Sequence, residues 1–398
     1  MASRRKLDEN FHLITRRIPE ENINGADLIH AALAREGKKP VGLWVTSPTG
    51  KPHIGYLIPL LKFADFLRAG VEIIVVLLDV YSFLDNVKYP MDQVVQRMHY
   101  YRFTVEAALE VLGIPSSNIK FIKESSYQTN ARFFFDQCRL CTLVPQQAVR
   151  DAWDRSYNPD MLAPMLCPGL QTLAEEHLDV DFQFGGTDQR GIFAFAERFL
   201  PRLGYRNRAR LMNPMLPNLY GDKMSSSHPP HTKIMFLDDA ETVNQKVRAG
   251  YDSNVEVSKN GVLATLRDVL IPFSQLQMER SSSSLLENHL SEERVKGLSD
   301  SVGIFAAEPF WTPSAPPGTV FTFDPHGHGE GHDRGNKSRH YTSFDQIMQD
   351  LRDQKLSDDD IVVAVGNALN QILAPIRAAY QASLAWQAAD GQGYPDAS

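Results

Sequence analysis

The sequence has only three cysteines in 398 residues, too few for the disulfide framework of a small secreted protein. Two of them form a Cys-x-x-Cys at Cys138 and Cys141, but no second pair is present to complete a zinc site. No apolar run approaches the ~20 residues that cross a bilayer, and the basic N-terminus lacks the apolar stretch of a signal peptide. The net charge of −7 argues against sequence-independent nucleic-acid binding. These absences predict a cytoplasmic protein that does not enter a membrane.

Strand and helix patterns alternate along the first 235 residues. The continuous apolar run from Val71 to Leu78 is typical of a strand that is buried on both faces of a sheet. A second apolar segment, from Val41 to Ser47, precedes a turn and then a helical pattern of leucines after Gly55. Because this alternation is typical of parallel sheets with right-handed crossovers, the sequence predicts an α/β fold. The length is sufficient for two domains.

Beyond residue 235 the alternation stops, and the pattern predicts a mainly α-helical region. The last long helix should start after Ser357, a good N-cap residue, with three aspartates in its first turn. Proline, glycine and histidine dominate residues 312–337, which predicts a loop. His326, His328, Glu330 and His332 are possible metal ligands by type, but the glycines between them give no fixed geometry. We therefore expect no metal site there.

His53 lies in a turn rich in proline and glycine, between a predicted strand and a predicted helix. The free N–H groups of a helix N-terminus attract phosphate, and a histidine there can donate to phosphate oxygens as negative charge develops. Gly55 leaves room for a base or ribose to approach the backbone, and Gly50 belongs to the same turn. A His-x-Gly triplet alone would be weak evidence, since a chance turn histidine is at least as common.

A second segment, Lys223-Met224-Ser225-Ser226-Ser227, follows a predicted loop that contains a glycine. A lysine on a flexible loop can close over the β- and γ-phosphates of a nucleotide and stabilise departing pyrophosphate. The serines can add hydroxyl donors. A single loop lysine is usually only solvated, so this interpretation depends on the whole segment.

The third segment, Gly185-Gly186-Thr187-Asp188-Gln189, follows a predicted strand that ends at Phe184. Glycines at the carboxyl end of a parallel strand mark the crevice where such sheets bind ligands. Asp188 can accept hydrogen bonds from ribose hydroxyls, and Gln189 can reach the α-amino or carboxylate group of an amino acid.

Together, the three segments resemble the nucleotide-binding motifs of class I aminoacyl-tRNA synthetases, and nearly the whole chain is similar to tyrosyl-tRNA synthetases of the eukaryotic and archaeal type. The string around His53 resembles the HIGH motif with Tyr56 at its second histidine, and the Lys223 segment resembles the KMSKS loop without its second lysine. The resemblance implies catalytic roles for His53, Lys223 and Ser225. It implies ATP contacts for Gly50, His53, Gly55, Gly185, Gly186, Asp188, Lys223, Met224 and Ser225.

The family also implies an architecture and a set of partners. Residues 1–235 would form a Rossmann-like catalytic domain with a parallel sheet and a helical insertion near 130–165. Residues 236–389 would form an α-helical domain similar to the anticodon-binding domain. The expected ligands are ATP with Mg²⁺, which offsets phosphate charge, an amino acid and tRNA, in a homodimer whose interface includes the insertion.

The expected amino-acid pocket departs from the family pattern. Tyrosyl enzymes hold the substrate phenol with a tyrosine on the first strand and an aspartate on a helix, and the matching residues here are Leu43 and Ala174. Neither side chain can hydrogen-bond a phenol, and a buried hydroxyl without a partner costs ~1–3 kcal/mol. The family tyrosine near the α-amino group is Cys167 here. The pocket positions are Leu43, Asp79, Tyr81, Cys167, Gln171, Ala174 and Gln189.

Three interpretations remain open at this point. The first is a tyrosine–tRNA ligase in which other residues, such as Tyr81, hold the phenol. The second is a paralog that adenylates a different, less polar amino acid, without the usual tRNA. The third is a non-catalytic descendant that binds ATP, although a pure scaffold need not keep His53, Asp188 and Lys223. The family's anticodon-stacking tryptophan is missing before Gly335, which leaves the tRNA open as well.

Overall fold

A computed structural model describes residues 2–85, 89–152, 161–226, 228–287, 307–324 and 338–395 of the chain. Its strands are β1 (Ile23–Asn24), β2 (Val41–Thr46), β3 (Glu72–Leu77), β4 (Ile119–Lys123), β5 (Phe182–Gly186), β6 (Ala209–Asn213), β7 (Phe321–Phe323) and β8 (Arg339–Tyr341). Its helices are α1 (Ala2–Thr15), α2 (Ala26–Ala34), α3 (Leu57–Arg68), α4 (Asp79–Leu84), α5 (Met91–Val111), α6 (Ser125–Gln128), α7 (Ala131–Leu143), α8 (Gln146–Asp151), α9 (Cys167–His177), α10 (Arg190–Phe199), α11 (Ala240–Gly250), α12 (Gly261–Thr265), α13 (Ile271–Glu287), α14 (Phe344–Arg352), α15 (Asp358–Ala382) and α16 (Leu384–Gly393).

The main sheet has six strands in the order β1-β6-β5-β2-β3-β4, and all its pairs are parallel except β1 with β6. The α/β prediction is therefore confirmed. The strand order reverses between β2 and β5, which lie side by side at the centre of the sheet. In open parallel sheets, ligands bind outside the carboxyl ends of the strands at such a switch point. The turn before His53 follows β2, and the Gly185-Gly186 pair ends β5.

Both faces of the central strands are buried, as the apolar run from Val71 to Leu78 predicts. On one face Trp44, Val75 and Phe184 belong to a large core that continues into the C-terminal helices. On the other face Leu43 and Val76 pack into a smaller core with α9. The alternation of side chains along each strand thus divides the molecule into two apolar layers.

The region after residue 235 is mainly helical, as predicted, and α15 begins where the sequence indicates. The Ser357 hydroxyl accepts from the Asp360 N–H while the Asp360 carboxylate accepts from the Ser357 N–H, a complete capping box. Among the described helices, α15 is the one that is long and apolar enough to cross a membrane. Half of its apolar stretch, including Ile361, Leu369 and Ile372, is nevertheless buried in the core. A buried core helix can have the same length and apolar composition as a helix that crosses a membrane.

One part of the loop prediction for residues 312–337 is wrong. Residues 321–323 form β7, which pairs with β8 in a small antiparallel ribbon. The reason is packing: Phe321 and Phe323 are buried beside Tyr341 and Phe310, whereas the Thr between them is half-buried. Residues 325–337 lie outside the described residues. This range includes His326, His328, Glu330, His332 and the segment before Gly335. Within the described ranges, no group of three or more His, Cys, Asp or Glu side chains is placed to hold a metal ion.

Candidate active site

A cleft opens at the switch point between β2 and β5 and contains about 960 Å³ of atom-free space, part of it open to solvent. All the predicted ATP contacts line this cleft except Gly50. The Gly50 carbonyl lies behind the cleft wall, where it accepts a hydrogen bond from the Tyr101 hydroxyl at 2.5 Å. The lining residues from the three predicted segments are His53, Gly55, Tyr56, Gly185, Gly186, Asp188, Gln189, Lys223, Met224, Ser225 and Ser226.

His53 is held as a neutral hydrogen-bond donor. Its Nδ1 accepts from the Gly55 N–H at 3.2 Å, which leaves the proton of the neutral ring on Nε2. Burial, and then the charges of Lys233 and other nearby cations, lower the pKa of His53 to about 3. A Cβ on Gly55 would lie 2.8 Å from the imidazole Cε1, so any side chain there would displace the ring. The His-x-Gly spacing therefore follows from local geometry.

Lys223 and Asp188 meet across the mouth of the cleft. The Lys223 Nζ lies 2.8 Å from Asp188 Oδ2, and both side chains are partly exposed. Ion pairs at such exposure contribute only ~0–1 kcal/mol, so a phosphate could replace the carboxylate at little cost. Gly186 leaves room for the Asp188 carboxylate, because a Cβ there would clash with Met215 Sδ and would lie 2.5 Å from Asp188 Oδ1.

The loop that carries Lys223 is organised by Lys233, which sequence reasoning missed. The Lys233 side chain is buried, and its Nζ donates to the carbonyls of Ser225, Ser226 and His228 at 2.6–2.7 Å. Burial, with a smaller effect of the Lys246 charge, lowers the pKa of Lys233 to about 8. No local pattern distinguishes this lysine from a solvated one, since its role depends on carbonyls that only the folded loop brings together.

Four of the predicted amino-acid pocket residues gather in one closed apolar cluster. Leu43, Tyr81, Cys167 and Ala174 are all buried there, beside Val76 and other aliphatic side chains. None of the four lines the cleft. The structure thus brings these distant positions together behind the cleft, in surroundings that offer few polar partners to a substrate side chain.

Glutamine amides lie between the cleft and this cluster. Gln171 Nε2 donates to Gln189 Oε1 at 2.9 Å, as their common assignment to the pocket suggests. Gln183, which sequence reasoning missed, is 0% exposed, lines the cleft and pairs with Leu43 in the sheet. Both its amide atoms lack a partner among the described residues. A buried amide without partners is costly, so a polar substrate group is its natural partner. The sequence signal that could have identified Gln183 is a glutamine between two phenylalanines in a buried strand.

Asp79, also predicted in the pocket, has a structural contact instead. Its carboxylate accepts from the Ser125 N–H at 2.9 Å and from the Ser125 hydroxyl at 2.7 Å, at the start of α6. In return Glu124, just before α6, accepts from the Tyr81 N–H in α4 at 2.8 Å. The Asp79 carboxylate thus caps the start of α6, and the Glu124 carboxylate caps the first turn of α4. Burial raises the pKa of Glu124 to about 7.

The cleft at the switch point of the parallel sheet therefore combines a buried histidine donor with a lysine on the opposite loop, and both can reach a phosphate bound there. Residues 36–303 match the family model for class I tRNA synthetases (W and Y), and the chain belongs to this family.

Curated relatives and solved structures agree with this assignment. The cytoplasmic tyrosine–tRNA ligase of Saccharomyces cerevisiae is 35% identical over 405 residues, which cover 100% of this chain and 91% of that protein. The cytoplasmic enzyme of Gallus gallus is also 35% identical, but the match covers 93% of this chain and only 60% of the longer relative. The structure of the Archaeoglobus fulgidus tyrosyl-tRNA synthetase with L-tyrosine superimposes with a TM-score of 0.72 at 26% identity, covering 94% of this chain and 99% of that chain.

Proposed function

We propose that the protein is an ATP-dependent, tyrosine–tRNA ligase-like enzyme of the cytoplasm. It would form an aminoacyl-adenylate and transfer the aminoacyl group to tRNA. The observation that carries the proposal is the convergence of His53, Asp188 and Lys223 on one cleft that Gln183 also lines. Residues 1–235 would supply this chemistry, and residues 236–389 would be the anticodon-binding-like domain.

In the proposed first step, the carboxylate of the amino acid attacks the α-phosphorus of ATP, and pyrophosphate leaves. The Nε2–H of His53 would donate to a phosphate oxygen as its charge increases, without needing to be protonated first. Lys223 would exchange Asp188 for the β- and γ-phosphates, and Asp188 would then be free to accept from the ribose. Mg²⁺ would enter bound to the phosphates of ATP and offset their charge, so that Asp188 remains available to the ribose.

A second candidate function is the activation of a less polar amino acid than tyrosine. Leu43 and Ala174, which match the family's phenol-binding positions, are both buried in the apolar cluster. This cluster favours a side chain without a hydroxyl group, whereas the glutamine amides at its entrance suit the α-amino group of any amino acid.

The decisive experiment is ATP–pyrophosphate exchange with each standard amino acid, followed by charging of total tRNA. Exchange with tyrosine alone supports the tyrosine–tRNA ligase. Exchange with phenylalanine or an aliphatic amino acid in preference to tyrosine supports the second candidate. Purified protein that exchanges with none of them, while it binds ATP, would contradict both.

The pH dependence of exchange should report on Lys233. Raising the pH through about 8 removes its charge, and a neutral amine has only two N–H donors for three carbonyls. We expect the rate to fall above pH 8 as the loop loosens, and not to fall between pH 8 and 5 through His53, whose pKa is about 3. In Lys233→Arg, whose guanidinium stays charged, the alkaline fall should disappear. Identical profiles for both proteins would refute this role.

The homodimer is also part of the proposal, with the helical insertion at its interface. On α7 the rings of Phe134 and Phe135 are 62% and 63% exposed, and Leu162 is 78% exposed on the same insertion. Exposed apolar groups of this density mark interaction sites. Phe134→Asp with Phe135→Asp should yield monomers by light scattering, whereas Val255→Asp, an exposed position elsewhere, should not. A double variant that stays dimeric would place the interface elsewhere.

A further inference from the structure

Three consecutive residues of the turn before His53 are held from outside the cleft. The Thr49 carbonyl accepts from Arg97 Nη1 at 2.6 Å, and the Gly50 carbonyl accepts from the Tyr101 hydroxyl at 2.5 Å. The next residue, Lys51, places its Nζ 2.7 Å from Asp390 Oδ1. Arg97 and Tyr101 belong to α5, whereas Asp390 belongs to α16 in the C-terminal helical region. The turn is thus held by elements that are far away in sequence.

The Lys51 side chain is fixed in an aromatic recess. Its Nζ lies 5.6 Å from the ring centre of Tyr100 and 5.4 Å from that of Tyr394. Lys51 does not line the cleft, although its neighbours Thr49 and His53 do. The Lys51–Asp390 contact is an ion pair by distance without the angle of a directed hydrogen bond. The other carboxylate oxygen of Asp390 accepts from the Tyr380 hydroxyl of α15 at 2.9 Å.

Arg97 makes a second connection between α16 and the turn. Its Nε donates to the Gly393 carbonyl at 2.6 Å, at the end of α16, while its Nη1 donates to Thr49. The guanidinium lies 3.5 Å from the ring centre of Tyr89 and 4.5 Å from that of Tyr394. Arg97 itself is buried. Both connections run from the same end of α16 to the same few residues, and a shift of α16 would therefore move the turn.

We propose that Asp390 is a positioning residue for the ATP site, which acts through Lys51 to hold the turn 48–53 in its binding geometry. The helical region would then be coupled to adenylate formation through α15 and α16, since Tyr380 and Lys51 share one carboxylate. This inference rests on the proposed adenylation activity. The opposite arrangement is a Lys51 that is itself a phosphate ligand and is kept out of the cleft by Asp390.

Four variants of the full chain distinguish these arrangements: Asp390→Asn, Lys51→Met, the double variant, and Asp390→Glu. If Asp390 positions the turn, both single variants should lower kcat/KM for ATP in pyrophosphate exchange by about 10- to 100-fold, the usual effect of a displaced active-site group. The double variant should be no worse than the single ones, because both changes remove the same interaction. Asp390→Glu should restore most of the activity. Asp359→Asn, which removes an exposed ion pair with Arg248, is the matched control and should change nothing.

Other results would overturn the proposal. If Asp390→Asn lowers the KM for ATP while Lys51→Met raises it, Lys51 is a withheld phosphate ligand. If the variants melt at lower temperature but keep wild-type kcat and KM, the ion pair is only structural. If the wild-type protein shows no exchange with any amino acid, the proposed function fails separately. ATP affinity of the same variants, measured by calorimetry, then decides whether Asp390 positions the turn.

Discussion

Replacing Lys223 by methionine should lower the rate of adenylate formation by about 10²- to 10³-fold, the typical cost of removing one donor that stabilises transition-state charge. Stability should change little, because the Lys223–Asp188 pair is partly exposed and contributes at most ~1 kcal/mol. The measurement is kcat for pyrophosphate exchange at saturating ATP, together with thermal melting. The prediction depends on Lys223 reaching phosphate groups only as pyrophosphate departs.

The matched control for this prediction is Lys355→Met. Lys355 is also a partly exposed lysine paired with aspartate, but it lies between α14 and α15, away from the cleft. Its replacement should leave kcat unchanged. A Lys223→Met protein with near-normal kcat would remove the loop from catalysis and would leave His53 as the main donor.

The second large effect concerns the apolar cluster behind the cleft. Leu43→Tyr with Ala174→Asp should raise kcat/KM for tyrosine by about 10- to 100-fold, because a buried phenol that gains hydrogen-bond partners avoids a penalty of ~1–3 kcal/mol. Both positions are fully buried in one cluster. An aromatic ring is larger than the Leu43 side chain it replaces, so overpacking should also lower the stability of the variant. The readouts are pyrophosphate exchange with tyrosine and with phenylalanine, and the melting temperature of each variant.

Leu43→Phe alone separates hydrogen bonding from packing in this experiment. It adds the same ring as Leu43→Tyr without either of the two groups that could hydrogen-bond the phenol. Equal gains for tyrosine in both variants would mean that ring packing, not a hydrogen bond, is responsible. No gain in either would mean that the substrate side chain lies elsewhere than beside Leu43 and Ala174.

Much of the site follows from sequence because its geometry is local. His53 and Gly55 are two residues apart, and the hydrogen bond between them is a property of one turn. The glycines at the end of β5 are partly explained by near neighbours in sequence, since a Cβ on Gly185 would lie 3.0 Å from Gln189 Cγ and one on Gly186 would lie 2.5 Å from Asp188 Oδ1. The capping box at Ser357 is likewise formed by residues of one helical turn. Motifs of this kind determine their own conformation.

The sequence by itself therefore determined the α/β architecture, the three segments that line the cleft and the family to which the chain belongs. Only the tertiary structure decided that Lys233 holds the loop of Lys223, that the Gln183 amide is buried without a partner among the described residues, and that Asp390 meets Lys51. Each of these facts depends on desolvation and on contacts between segments far apart in the chain. A side chain's burial and its partners are set by the packing of its surroundings, which no local pattern of residues encodes.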